Sequence, residues 1–208
     1  MDPILWLKIT ALVPISYLLG SIPWGIIVTR LFSTADIRKE GSGNIGAANV
    51  RRVAGSMLGA VTLFGDMAKG AFPVWLAAAL VSPQTLWGSI YVSLVALVAF
   101  LGHLYPAYTG LKGGGKGVAT AAGSFFILTP AAAVIAFLVF VMMVCFFNRV
   151  SLGSLVAAVT LPVAVWESTH SQILTGCSLI VAVLIILRHT DNIRRLLRGS
   201  EHRFNEKK

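Results

Sequence analysis

Charge is scarce in this 208-residue chain: Asp, Glu, Lys and Arg make up 12% of it, against roughly a quarter in an ordinary soluble domain. With 56% hydrophobic residues and a mean hydropathy of +0.81, that shortage excludes a soluble globular domain, a disordered chain and a coiled coil, and points to a bilayer. Cysteine is nearly absent too. Cys145 and Cys177 each stand in a long apolar run with no second Cys or His at ligand spacing, which excludes a disulfide framework and a structural zinc site. Acidic residues number 8 against 17 basic ones, and the formal charge of +9 favours anionic lipid or an anionic substrate over nucleic acid. Met1-Asp2-Pro3 offers no basic signal-peptide start, and no small-x-small cleavage site follows. The first apolar stretch is therefore expected to persist as a membrane helix.

What the chain has in quantity is apolar length. A spanning helix needs about 20 apolar residues, and seven candidates run Ile4–Leu31, Val53–Val81, Leu86–Leu104, Gly117–Leu128, Pro130–Phe147, Leu152–Trp166 and Gln172–Leu187. The fourth is too short to cross alone, and Thr129-Pro130 after it marks a break, since Pro lacks a backbone donor and restricts the residue before it. With seven spans, 15 of the 17 basic residues fall on one side, while the turns of the other side hold none. The positive-inside rule then places the N-terminus outside and the C-terminus in the cytoplasm. The expected fold is all-α: one integral membrane domain over residues 1–208, seven transmembrane helices, and glycine-rich cytoplasmic loops that hold the site. Gly55 and Gly59 form a small-xxx-small pair suited to close helix packing.

The cytoplasmic segments gather the chemistry. The first reads GSGNIGAANVRR from Gly41 to Arg52. Its glycines fit the G-x-G-x-x-G string, but no βαβ pattern surrounds it and no acidic residue follows at the required distance, which argues against a dinucleotide site. Glycines Gly41 and Gly43 let backbone approach an anion, Ser42 and Asn44 add donors, and Arg52 supplies a fork suited to phosphate. A flexible loop with its basic residues against lipid headgroups is the plainer alternative. The second segment carries LKGGGKG, with Gly113, Gly114 and Gly115 between Lys112 and Lys116. It approaches a Walker A loop, yet Gly117 stands where a Ser or Thr must hold magnesium and no strand precedes it. A glycine loop running into a helix at Val118 suits phosphate, and a pair of snorkelling lysines beside a hinge is the alternative.

The third segment, RHTDNIRRLLRGSE from Arg188 to Glu201, places His189 and Asn192 on one helical face, and a basic helix lying on anionic lipid accounts for part of it. Within the second span, Asp66 and Lys69 share a face and should pair or meet a wet cavity. Ser151 and Ser154 can add hydroxyls near the third cytoplasmic turn, and N-capping explains Ser151 equally well.

At these motifs the sequence resembles the bacterial acyl-phosphate-dependent glycerol-3-phosphate acyltransferases, the PlsY family, over nearly its whole length. The pattern G-S-G-N-x-G-A-T-N-x-x-R is met from Gly41 to Arg52 with Ala48 in place of Thr. R-H-x-x-N-I-x-R-L-x-x-G-x-E is met from Arg188 to Glu201, and GDMAKG from Gly65 to Gly70 also fits. KGGGKG has one glycine more than the family's K-G-G-K-G, so Lys112 and Lys116 stay alternative holders of the family's lysine role. The soluble acyltransferase signature H-x4-D and the G-x-S-x-G elbow do not occur.

The resemblance implies transfer of a fatty acyl group from acyl phosphate to the 1-hydroxyl of glycerol 3-phosphate, giving lysophosphatidic acid and phosphate, the first acylation of phospholipid synthesis. It implies a multi-pass protein of the bacterial cytoplasmic (inner) membrane whose site faces the cytoplasm. No cofactor and no metal are expected, and an upstream enzyme that makes acyl phosphate is the implied protein partner. Ser42, Arg52, Lys112, His189 and Asn192 are the expected catalytic set. Gly41, Gly43, Asn44, Asn49, Gly113, Gly114, Gly115, Lys116, Arg188, Glu201, Asp66, Lys69 and Ser154 are the expected substrate-binding set. A transporter for a phosphorylated metabolite is the alternative, although such proteins place ligands at the midplane between inverted repeats and no repeat is visible here.

Overall fold

The computed structural model describes residues 3–205; Met1, Asp2 and the terminal Lys207 and Lys208 counted in the charge asymmetry lie outside the described residues. Regular structure among the described residues is wholly helical, as the apolar runs lead one to expect. In chain order the helices are α1 (Pro3–Ser21), α2 (Trp24–Phe32), α3 (Ala47–Ala54), α4 (Ser56–Leu80), α5 (Leu86–Leu104), α6 (Val118–Leu128), α7 (Pro130–Phe147), α8 (Val150–Thr169), α9 (Gln172–Arg188) and α10 (Thr190–Leu197). A 3-10 turn, Ala107–Thr109, follows α5. By length and apolarity α1, α5 with its turn, α7 and α8 can cross a bilayer, and α9 with α10, bent by 59°, makes up to a fifth. The 25 residues of α4 are long enough but include Asp66 and Lys69.

Two expected elements differ. The run Ile4–Leu31 breaks at Ile22-Pro23, where Pro23 has no N–H to continue α1, and the Lys69 ammonium donates to the Ile22 carbonyl at 2.8 Å. Val53–Val81 takes in the last two residues of α3 and is cut at Gly55, whose φ of +96° few other residues adopt. That φ is what turns α3 back onto α4, and Gly59 is buried where a β-carbon would meet Arg51 Cβ at 2.6 Å.

Contacts divide the chain into two compact units, the first ending at Leu128 and the second starting at Thr129. In the first, backbones touch where glycine replaces a side chain. Gly20 of α1 lies on the Ala99 carbonyl of α5, and Gly123 of α6 lies on the Met67 carbonyl of α4, the small-residue packing that lets apolar helices associate within lipid. Leu12, Val74, Val92 and Val95 fill the core. A second apolar cluster, Ile26, Ile37, Ile45 and Val50, pins the polar first loop from beneath.

In the second unit α7 packs on α8 and α8 on α9, while Phe137, Leu138, Phe146 and Phe147 of α7 remain exposed, the surface a lipid chain would cover. Asn148, at φ +54°, ends α7. Its carbonyl accepts from the Phe204 N–H at 2.7 Å and its side-chain oxygen from the Asn205 N–H at 3.1 Å, tethering the chain's end. Arg149, not Ser151, occupies the N-cap of α8, so capping does not explain Ser151, which lies in the first turn.

Candidate functional site

In the first unit the GSGNIGAANVRR segment is built around one buried side chain. Asn49, on the first turn of α3, is 1% exposed. Its amide donates to the carbonyls of Ile37 at 2.9 Å and Glu40 at 3.2 Å, and its oxygen accepts from the Ser42 N–H at 2.8 Å. Arg52, one helical turn on, reaches the same oxygen at 3.5 Å. Gly41 takes φ +61°, and a β-carbon there would overlap the Asn49 oxygen. Asn44 accepts from the Gly46 N–H at 2.9 Å, shaping the turn into α3. Ser42 itself is exposed and Arg52 half-buried, so a hydroxyl and a guanidinium share one rim.

The second loop leaves α5 through the 3-10 turn. Gly114 and Gly115 are buried against the end of α5: a β-carbon on Gly114 would overlap the Leu104 carbonyl, and one on Gly115 would overlap His103 Nε2. Close packing therefore accounts for these two glycines. Gly113, with φ +66° and open space around it, is exposed beside Lys112, whereas Lys116 is half-buried. The Thr109 hydroxyl donates to the Lys112 carbonyl at 2.6 Å, closing the turn. A cavity of about 470 Å³ is lined by Ile22, Pro23, Ile26 and Ile27 on one hand and Arg30, Arg38, Tyr108 and Thr109 on the other. It offers an apolar wall next to two cationic side chains.

Beneath this lies an ion pair. Lys69 and Asp66 meet at 2.8 Å with both side chains buried, and His103 Nδ1 is 3.6 Å from the same Asp66 oxygen. The charges needed partners at this depth, and they find them within the first unit.

In the second unit the bend between α9 and α10 falls at His189, 2% exposed, whose Nδ1 lies 2.8 Å from the Ile185 carbonyl. An acceptor there fixes the proton on Nδ1 and sets the ring's tautomer. Asn192 donates to Glu201 at 2.6 Å and Arg195 to its other oxygen at 2.7 Å. Burial pushes the Glu201 carboxyl up, but hydrogen bonds from Arg195 and Asn192 with the Arg195 charge outweigh it and hold it below the ordinary carboxylate range. Ser154 donates back to the Val150 carbonyl at 3.0 Å. Arg188 ends α9, half-buried.

Of the expected residues, Gly41, Ser42, Gly43, Asn44, Asn49 and Arg52 come together in one loop, Lys112 to Lys116 in another, and Arg188, His189, Asn192 and Glu201 at one bend. Asn49, Asp66, Lys69 and Glu201 spend their polar atoms on protein partners. His103 is the residue that motif reading misses. It stands at the end of an apolar span, in the second polar segment from Gly102 to Thr120 but ahead of its KGGGKG core, and its partner Asp66 is 37 positions away, so only its place ahead of the glycine loop hinted at it.

These observations define an α-helical, multi-pass integral membrane protein with glycine-rich loops that carry basic side chains. The chain belongs to the glycerol-3-phosphate acyltransferase family, whose model matches residues 10–199. It is 49% identical over 189 residues, 91% of this chain and 94% of the relative, to the glycerol-3-phosphate acyltransferase of Syntrophotalea carbinolica. It is 43% identical over 193 residues, 93% of this chain and 96% of the relative, to that of Geobacter sulfurreducens. The crystal structure of PlsY, an integral membrane glycerol 3-phosphate acyltransferase, in its glycerol 3-phosphate form is similar at a TM-score of 0.89 and 36% identity, over 95% of this chain and 96% of that one. The lysophosphatidic acid form is similar at 0.86 and 35%, over 94% and 95%.

Proposed function

We propose that this protein transfers a fatty acyl group from acyl phosphate to the 1-hydroxyl of glycerol 3-phosphate, releasing lysophosphatidic acid and phosphate. The observation that carries the reading is the first loop, in which one buried amide, Asn49, sets both the Ser42 backbone and the Arg52 guanidinium. That suits a phosphate: an exposed hydroxyl, that of Ser42, on a backbone held in place by Asn49, beside a fork that is always charged. The cavity lined by Ile26, Ile27, Arg30 and Arg38 adds the apolar wall and cationic rim that suit an acyl chain ending in phosphate.

Acyl phosphate is already activated, so catalysis consists of positioning and charge neutralisation. The substrate hydroxyl attacks the acyl carbon, the bond from that carbon to the phosphate oxygen breaks, and the phosphate leaves with the hydroxyl proton. In the first unit Ser42, Arg52 and one of Lys112 or Lys116 take phosphate oxygens, with the Gly113 region lending amides. In the second, His189 and Asn192 take glycerol hydroxyls, with Glu201 orienting Asn192, and Arg188 and Ser154 are assigned to substrate binding with them. The enzyme is read as one domain of seven crossings in the inner membrane, N-terminus outside and loops in the cytoplasm, served by an enzyme that makes acyl phosphate. Phosphate release by purified protein given acyl phosphate tests it. Release that depends on glycerol 3-phosphate and is lost in Arg52→Ala supports transfer; glycerol-3-phosphate-independent release, or none, contradicts it.

A further inference from the structure

The buried Lys69–Asp66–His103 cluster has no part in the transfer chemistry above, yet it ends at the glycine loop. Lys69 Nζ is anchored twice, to Asp66 at 2.8 Å and to the Ile22 carbonyl at the α1–α2 break at 2.8 Å. Asp66 faces the Nδ1 edge of His103 at 3.6 Å. The opposite edge of the ring, Nε2, fills the space that a β-carbon on Gly115 would need, and the Gly115 N–H donates to the His103 carbonyl at 3.2 Å. His103 is 3% exposed. Ring and backbone of one residue thus grip the loop that carries Lys112 and Lys116.

We propose that His103 is a positioning residue of the acyl transfer: Asp66, itself held by Lys69, fixes the imidazole, and the imidazole fixes Gly115 and with it the register of the two loop lysines. The physical reason for the arrangement is that a triple-glycine loop has no side chains with which to hold itself. An aromatic ring clamped from behind supplies the missing wall without adding a group to the loop. This role rests on the transfer reading. It differs from that reading in that His103 touches no substrate and moves no proton, and acts only through where the loop sits. Misplacing a reacting phosphate by about 1 Å costs on the order of a hundredfold in rate, so a modest shift of this loop has a large kinetic effect.

The test is steady-state kinetics of lysophosphatidic acid formation in detergent for wild type, His103→Asn, Gly115→Ala and the double variant, with His103→Ala beside them. Asn keeps a donor near the Nδ1 position for Asp66 and lacks the Nε2 edge. The expected result is a roughly tenfold to hundredfold fall in kcat/KM for His103→Asn with its unfolding midpoint close to that of wild type. Gly115→Ala, whose new methyl collides with the ring, is expected to fall further, and the double variant to recover several-fold over Gly115→Ala because the obstruction is gone. A structural role alone would make the double variant worse. His103→Asn and His103→Ala with wild-type kcat and KM, or a double variant no more active than Gly115→Ala, overturns the role of His103 alone. Wild-type protein that makes no lysophosphatidic acid overturns the transfer reading and this role with it.

Discussion

Asn49 Oδ1 accepts from the Ser42 N–H at 2.8 Å, so a residue on the first turn of α3 sets the conformation of a loop residue seven positions earlier. Asn49→Ala removes this bond and leaves the Ile37 and Glu40 carbonyls without their amide partner. The expected cost is about 1–3 kcal/mol of stability. Asn49→Asp is expected to cost no less, since it sets a carboxylate oxygen against those same carbonyls. Unfolding midpoints in detergent check the stabilities, and activity at a temperature where both variants are folded is expected to fall with the loop.

Asp66 and Lys69 form a buried pair, and breaking one partner strands the other charge. Asp66→Asn is expected to destabilise by about 3–5 kcal/mol, and the double change Asp66→Asn with Lys69→Met to recover part of it, because no uncompensated charge remains. A double-mutant cycle on unfolding free energies reads the coupling directly. Additive losses would show that the two charges do not depend on each other.

Glu201 is held below its ordinary pKa by Arg195 and Asn192. A depressed carboxylate contributes stability that is fully present above its unfolded value and is lost as pH falls through the folded one. Glu201→Gln is therefore expected to lower the unfolding midpoint at neutral pH, and the gap to wild type should close as pH drops below the ordinary carboxylate range near 4.5. Thermal scans of both proteins from pH 7 to pH 3 measure it. A gap that stays constant with pH would remove the ion pair as its cause.

Glycine at helix contacts makes a paired prediction. Gly123 lies on the Met67 carbonyl, whereas nothing lies within 4 Å of the β-position of Gly176. Gly123→Ala should force α4 and α6 apart at about 1–3 kcal/mol. Gly176→Ala should be neutral or stabilise by up to about 1 kcal/mol, through helix propensity alone.

Much of this architecture was legible in hydropathy. The apolar runs from Leu86 onward match α5 to α9 to within three residues, because in lipid an apolar segment of that length has few ways to satisfy its backbone other than as a helix. The break at Thr129-Pro130 was legible from its proline and separates α6 from α7, but the breaks at Ile22-Pro23 and at Gly55 were not. Hydropathy continues across Ile22-Pro23, where Pro23 stops α1 for want of an N–H and the Lys69 ammonium satisfies the Ile22 carbonyl. The polar segment before Val53 hides α3, whose GAANVRR reads as loop by its glycine and amide content although Ala47 to Ala54 is helical. The motif residues were found by type and spacing. Their division of labour was not, since Asn49 and Glu201 read as substrate-binding residues until their partners at Ser42, Asn192 and Arg195 are seen. His103 carries no local signal, because its meaning lies in two neighbours distant along the chain, Asp66 and Gly115.

The measurement that tests the account most directly is mass-spectrometric detection of lysophosphatidic acid from purified, folded protein given acyl phosphate and glycerol 3-phosphate, in EDTA and without acyl thioester or nucleotide. The account predicts 1-acyl product in step with phosphate release, with no acylated protein accumulating and no product from Arg52→Ala. Absence of that product from the folded wild-type protein, or a strict need for an acyl thioester, would contradict it, and liposome uptake of a phosphorylated solute would then be the next assay.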